Sequence, residues 1–134
     1  MKASSVSFQA AVAMALVGMG WGIMMAMTHD HSTMPAHAHL NLLGWVSLFL
    51  FGVFYRLHPA LDGSGLALAQ VWIWIVATIV LTIGVAMIYR GNMMGDPIAG
   101  IASIVAFLDM VFFGWLVLQR ERAGTRQPAA APAE

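Results

Sequence analysis

The sequence contains no cysteine. That excludes disulfides, thiolate metal sites, iron–sulfur clusters and a covalently attached c-type haem. Any metal or haem must be held by His, Met or oxygen ligands. Charge is almost as scarce: Asp, Glu, Lys and Arg make up 9% of the 134 residues, and hydrophobic residues 60%. An ordinary globular domain has about 25% charged and about 45–50% apolar residues. So few charges cannot cover a soluble surface, which excludes a soluble enzyme and a disordered regulator. Lys plus Arg number 6 and Asp plus Glu 6, so there is no basic excess for phosphates, and nucleic acid is not an expected partner. An integral membrane protein remains, with the lipid bilayer as its first partner.

Four apolar stretches fill residues 6–27, 35–57, 66–89 and 97–118. Each is long enough to cross a hydrocarbon core of about 30 Å at about 1.5 Å per residue. They are continuous rather than alternating, and a backbone in lipid must satisfy its own polar groups, so they read as helices. The connections are short, which makes successive helices antiparallel neighbours. The expected fold is all-α: an integral membrane up-down four-helix bundle over residues 1–118, with a disordered cytoplasmic tail at 119–134. The first stretch is too long for the apolar region of a signal peptide and is read as a retained helix.

Lys2, Arg56, Arg120, Arg122 and Arg126 fall on one side of this topology and Arg90 on the other. The excess of basic residues on the cytoplasmic side predicts both termini in the cytoplasm, with the first and third loops periplasmic. The membrane expected is the bacterial inner membrane.

Four of the five His, namely His29, His31, His37 and His39, gather around the first loop. Thr33 or Ser32 is the expected cap of the second helix, with Pro35 in its first turn. His37 and His39 then point about 200° apart and cannot share a metal from one helix face. His37 shares its stripe with Asn41, Gly44, Leu48, Gly52 and Tyr55, small and polar residues suited to packing on other helices. His39 shares its stripe with Leu43, Val46, Leu50, Val53 and Leu57, suited to lipid or to a haem edge. A lone interfacial His is ordinarily a hydrogen-bonded polar residue. Two His-x-His pairs about one short loop point instead to ligands, since neutral imidazole binds haem iron, copper and zinc.

Met24, Met25, Met27 and Met34 flank the same loop, and Met87, Met93 and Met94 are expected at the same end. Thioethers favour Cu(I), although Met also fills gaps between helices. Asp109 falls near the middle of the fourth stretch, where a carboxyl is costly unless paired or neutral. It is either a proton-relay group or an acid bonded to Ser103, Thr78 or Thr82. Gln70 reads as structural. Gly18 and Gly22 permit a close helix contact, and Arg56 is expected at the lipid headgroups. His58 lies roughly 32 Å from His37 along the helix, too far to share its site.

The run His37-Ala-His-Leu-Asn-Leu-Leu-Gly-Trp45-Val-Ser follows Thr28-His29-Asp30 and precedes Phe51-Gly-Val-Phe-Tyr-Arg56. Together these residues resemble the haem-copper oxidase (cytochrome c oxidase) subunit I-like superfamily, in particular its small four-helix bacterial membrane proteins. The resemblance covers about residues 8–118. It implies a membrane haem protein of the respiratory type, with b-type haem. His37 and His39 are the candidate axial ligands and His29 the next. The large members have many more helices, and this chain has no His near Trp72, where small relatives often carry one. A complete oxygen-reducing site is not expected from this chain alone.

Three functions are therefore expected to compete. The first is a haem- or metal-binding subunit in respiratory electron transfer or oxidase support, as a homo-oligomer or part of a respiratory complex. The second is a periplasm-facing copper-handling protein without haem, binding through His29, His31, His37, His39 and Met34. The third is a structural subunit with no cofactor. Asp109 and Asn41 are the candidate proton or polar sites.

Overall fold

The computed structural model describes the backbone of residues 1–125 and the side chains of residues 1–120. Four long helices carry the chain back and forth: Ala3–Thr28, Met34–Leu57, Gly65–Tyr89 and Gly95–Thr125. There is no strand among the described residues. All four helices are long and apolar enough to cross a membrane, and together they form an all-α membrane bundle. The fourth helix runs past the expected end at residue 118 through Thr125. The rest of the expected tail lies outside the described residues.

The third helix is the hub. It packs against the fourth along its length and also touches the first and second. Its buried face runs through Gln70, Val71, Trp74, Thr78, Leu81 and Val85. Close approach to the fourth helix depends on glycine: a Cβ on Gly84 would lie 2.7 Å from the Ala99 backbone nitrogen. Much of the outer surface is bare hydrocarbon, including Ile101, Ile104, Phe107 and Leu108 of the fourth helix. Such a surface suits lipid rather than water.

The second helix is not uniform. Leu40–Ser47 is a π-helix set between the α-helical segments Met34–His39 and Leu48–Leu57. Widening the turn to i→i+5 bonding loosens the carbonyl ladder. The Leu43 carbonyl accepts a hydrogen bond from the Trp74 indole N–H at 2.9 Å, and the Ser47 hydroxyl donates to the Leu42 carbonyl at 2.9 Å. The first of these ties the second helix to the third.

Both ends of the first helix are anchored from other elements. At its start no side chain of its own caps it. Asp62, buried in a one-turn helix Pro59–Asp62, accepts from the Ser4 backbone N–H at 2.7 Å and the Ser4 hydroxyl at 2.9 Å. A carboxylate there meets both the free N–H groups and the positive end of the helix dipole. At the other end Thr33 does not cap the second helix through its side chain. Its buried hydroxyl instead accepts from the Trp21 indole N–H at 3.1 Å.

Candidate functional site

The four His of the first loop occupy three environments. His29 ends the first helix in the left-handed conformation, at φ 55°, and His29 and His31 are both exposed. His37 faces the first helix, as its stripe predicts. Its ring lies where a Cβ on Gly22 would come within 3.2 Å of Cε1. The Asn41 side-chain nitrogen donates to the His37 carbonyl at 2.9 Å and lies 3.3 and 3.4 Å from the two ring nitrogens. Asn41 in turn lies against Gly18. The Gly18 and Gly22 positions thus receive the polar stripe of the second helix, and Gly44 and Gly52 continue it against Met14 and Phe8.

His39 is half-buried on the opposite side. Its Nδ1 lies 2.7 Å from the Pro35 carbonyl oxygen. A carbonyl only accepts, so Nδ1 carries the proton. Whenever the ring is neutral, its lone pair is then on Nε2. Fixing one ring nitrogen by a backbone carbonyl is how ligating His are commonly oriented. Val46, Leu50, Val53 and Leu57, on the His39 stripe, are exposed, and Leu43 is partly buried. The stripe is an outward apolar wall.

His29, His31, His37, His39 and Met34 are brought to one end of the bundle but not to one point. Among the described residues no three His, Asp or Glu side chains converge to hold a metal. Met24, Met27, Met34, Met93 and Met94 are exposed there, while Met25 is buried beside Thr33. A hollow of 460 Å³ lies between the third and fourth helices, and one of 440 Å³ lies between the first and third. Neither is lined by His. Beside the first loop, the exposed Asp30 carboxylate accepts from the Ser32 backbone N–H at 2.9 Å. That bond, seconded by the Ser32 hydroxyl, holds the Asp30 carboxyl below its ordinary value.

A second polar site lies deeper. The Tyr55 hydroxyl donates to Gln70 Oε1 at 2.7 Å, and Gln70 Nε2 donates to Asp109 Oδ2 at 2.7 Å. All three residues are buried, and they come from the second, third and fourth helices. The partner of Asp109 is thus Gln70, not Ser103, Thr78 or Thr82. Ser103 bonds its own helix at the Ala99 carbonyl, and the Thr78 and Thr82 hydroxyls have no partner. Asp109 stands level with Gln70, about 7.5 Å along the axis from the start of the third helix. It is nearer one end of the bundle than its mid-stretch position suggests. Phe54 and Phe113 close over Tyr55, and Phe51 packs on Phe113 with ring centroids 4.4 Å apart. His58, on the far side of Phe54, donates from Nδ1 to the Phe54 carbonyl at 2.7 Å. Arg56 is exposed beside Phe8, 5.9 Å from its ring centroid.

Compared with known proteins, the chain matches no family model, no curated protein and no solved structure.

Proposed function

We propose that the chain is a haem-binding subunit of a respiratory assembly in the bacterial inner membrane. His39 offers one axial ligand through Nε2. The observation that carries this reading is the Nδ1 contact of His39 with the Pro35 carbonyl. It fixes the imidazole through Nδ1 on an outward apolar wall, the surface a porphyrin edge needs. The abutting π-helix adds support, since such segments are frequent at functional sites.

Neither of the two hollows is lined by His39, and the wall that carries it faces outward. A haem held by His39 would be shared with another subunit, a second copy or a respiratory partner. His37, closed in by Gly22 and Asn41, supports the helix that presents His39. Haem of b type would supply one-electron transfer. The excess of basic residues at the ends of the chain supports a reading with both termini in the cytoplasm and the His-rich loop in the periplasm.

The test is a reduced-minus-oxidised optical spectrum of detergent-purified protein, made with haem and copper available, with iron and copper counted on the same sample. A Soret and an α-band at near-stoichiometric iron are expected, both lost in His39→Ala. Copper without a Soret band, lost on substitution of His29 and His31, overturns this reading for copper handling. Neither metal leaves a structural bundle.

A further inference from the structure

The Tyr55–Gln70–Asp109 chain is used by no step of the proposed function, and it carries an unanswered atom. Asp109 is 3% exposed and its Oδ1 has no hydrogen-bond partner. Its Oδ2 receives one neutral amide donor. The groups facing the carboxyl are Tyr55 from the second helix and Gln70 from the third, and no Lys, Arg or His among the described residues acts on it. A buried carboxylate with one neutral donor and no cation is the arrangement that taking up a proton relieves.

The direction of the chain says where that proton sits and what it changes. The bonds run one way: Tyr55 donates to the amide oxygen, and the amide nitrogen donates to Asp109. With the amide in this sense, Oδ2 can only accept, so an added proton goes to Oδ1. Once protonated, the carboxyl can itself donate. Half a turn of the carboxyl brings the protonated oxygen to Gln70, and half a turn of the Gln70 amide then lets Oε1 accept from the acid and Nε2 donate to the Tyr55 oxygen. Every bond of the chain is kept with its direction reversed, and the Tyr55 hydroxyl hydrogen is released from Gln70.

We infer that Asp109 is a proton-binding site, and that Gln70 reports its occupancy to Tyr55 by reversing the hydrogen-bond chain across three helices. The balance is simple: water supplies one proton, the carboxylate becomes a carboxylic acid, and no redox partner is needed. The inference is independent of the haem reading.

Infrared difference spectroscopy across a pH titration of the full-length protein in lipid tests it. The protonated-carboxyl C=O band and the tyrosine ring C–O band are followed, with Tyr55→Phe assigning the latter against Tyr89. We expect both bands to change together with one midpoint. Asp109→Asn loses both changes. Gln70→Leu keeps the carboxyl band and loses the tyrosine change. The absence of any Asp109-dependent carboxyl band at any pH overturns the proton site, and a tyrosine change that survives Gln70→Leu overturns the relay. If Asp109→Asn does not fold, Gln70→Leu and Tyr55→Phe decide alone, because the inference requires their carboxyl band to titrate without a tyrosine partner.

Discussion

Replacing Gly84 by Ala tests whether the third and fourth helices meet as closely as described. The added Cβ would lie 2.7 Å from the Ala99 nitrogen, 3.0 Å from its Cα and 3.1 Å from its Cβ. Comfortable separations are about 3.5–4.0 Å, so the helices must part by roughly 0.5–1 Å at this turn. The obstacle is backbone and cannot rotate away. Gly95 seats on the same turn, where a Cβ would lie 2.5 Å from the Gly84 carbonyl. Overpacking of this kind costs about 1–3 kcal/mol, partly offset by the roughly 1 kcal/mol that Ala gains over Gly in a helix. Gly20→Ala is the control, because nothing lies within 4 Å of the new Cβ, and it should be neutral or stabilising by about 0.5–1 kcal/mol. Gly44→Ala is intermediate, because the atom it meets first is the flexible Met14 sulfur. Reversible unfolding in mixed micelles should separate Gly84→Ala from Gly20→Ala by about 2 kcal/mol. Equal stabilities would refute the close contact, and with it the packing that brings Asp109 to Gln70.

Other consequences are as direct. Asp62→Ala should destabilise by about 1–2 kcal/mol through loss of the cap, and leaving the Ser4 hydroxyl buried without its partner adds about 1–3 kcal/mol. A double-mutant cycle with Ser4→Ala should show strong coupling, whereas additive effects would mean the two residues do not meet. Trp74→Phe removes the donor to the Leu43 carbonyl at a cost of about 0.6–1.7 kcal/mol. Amide exchange across Leu40–Ser47 should quicken, and unchanged exchange would show that the indole does not brace the π-helix. The Asp30 carboxyl is held below its ordinary value by Ser32, so the turn it closes is stable above the ordinary carboxylate range and lost as pH falls through the lowered value. The Ser32 amide shift in NMR should follow that low midpoint and stop titrating in Asp30→Asn, and a midpoint at the ordinary Asp value would dismiss the bond.

The parts legible in the sequence are those that hydrophobicity and helical spacing dictate. Apolar runs gave all four spans to within a few residues, apart from the longer end of the fourth. Spacing separated the His37 face, packed on Gly18 and Gly22, from the outward His39 face. The π-helix escaped because nothing in Leu40–Ser47 breaks an apolar helical pattern. The one local hint was Gly44, whose missing side chain admits Met14. Polar partners escaped for a different reason. Thr33 looked like a cap and Asp62 drew no reading at all, yet each bonds the first helix. Asp109 has Gln70 as its partner, 39 positions away in sequence. Such pairs depend on how far two helices slide past one another, which no local pattern records.

In lipid, that same dependence makes polar atoms the sharpest reporters on function. Out of bulk water, each must find a partner or stay unpaired at a cost of several kcal/mol. The buried atoms left without one among the described residues are Ser7 Oγ, Thr78 Oγ1, Thr82 Oγ1 and Asp109 Oδ1. The three hydroxyls have a local remedy, since a Ser or Thr in a helix can turn its O–H onto the carbonyl four residues back. A carboxylate oxygen can only accept, and the helix around it offers carbonyls rather than free N–H groups. Asp109 therefore cannot be satisfied from its own helix while it is ionised. As an acid it can donate, either to a carbonyl or to the reversed Gln70 amide. Protonation is thus the one change that converts the unanswered atom from a cost into a bond without moving any helix.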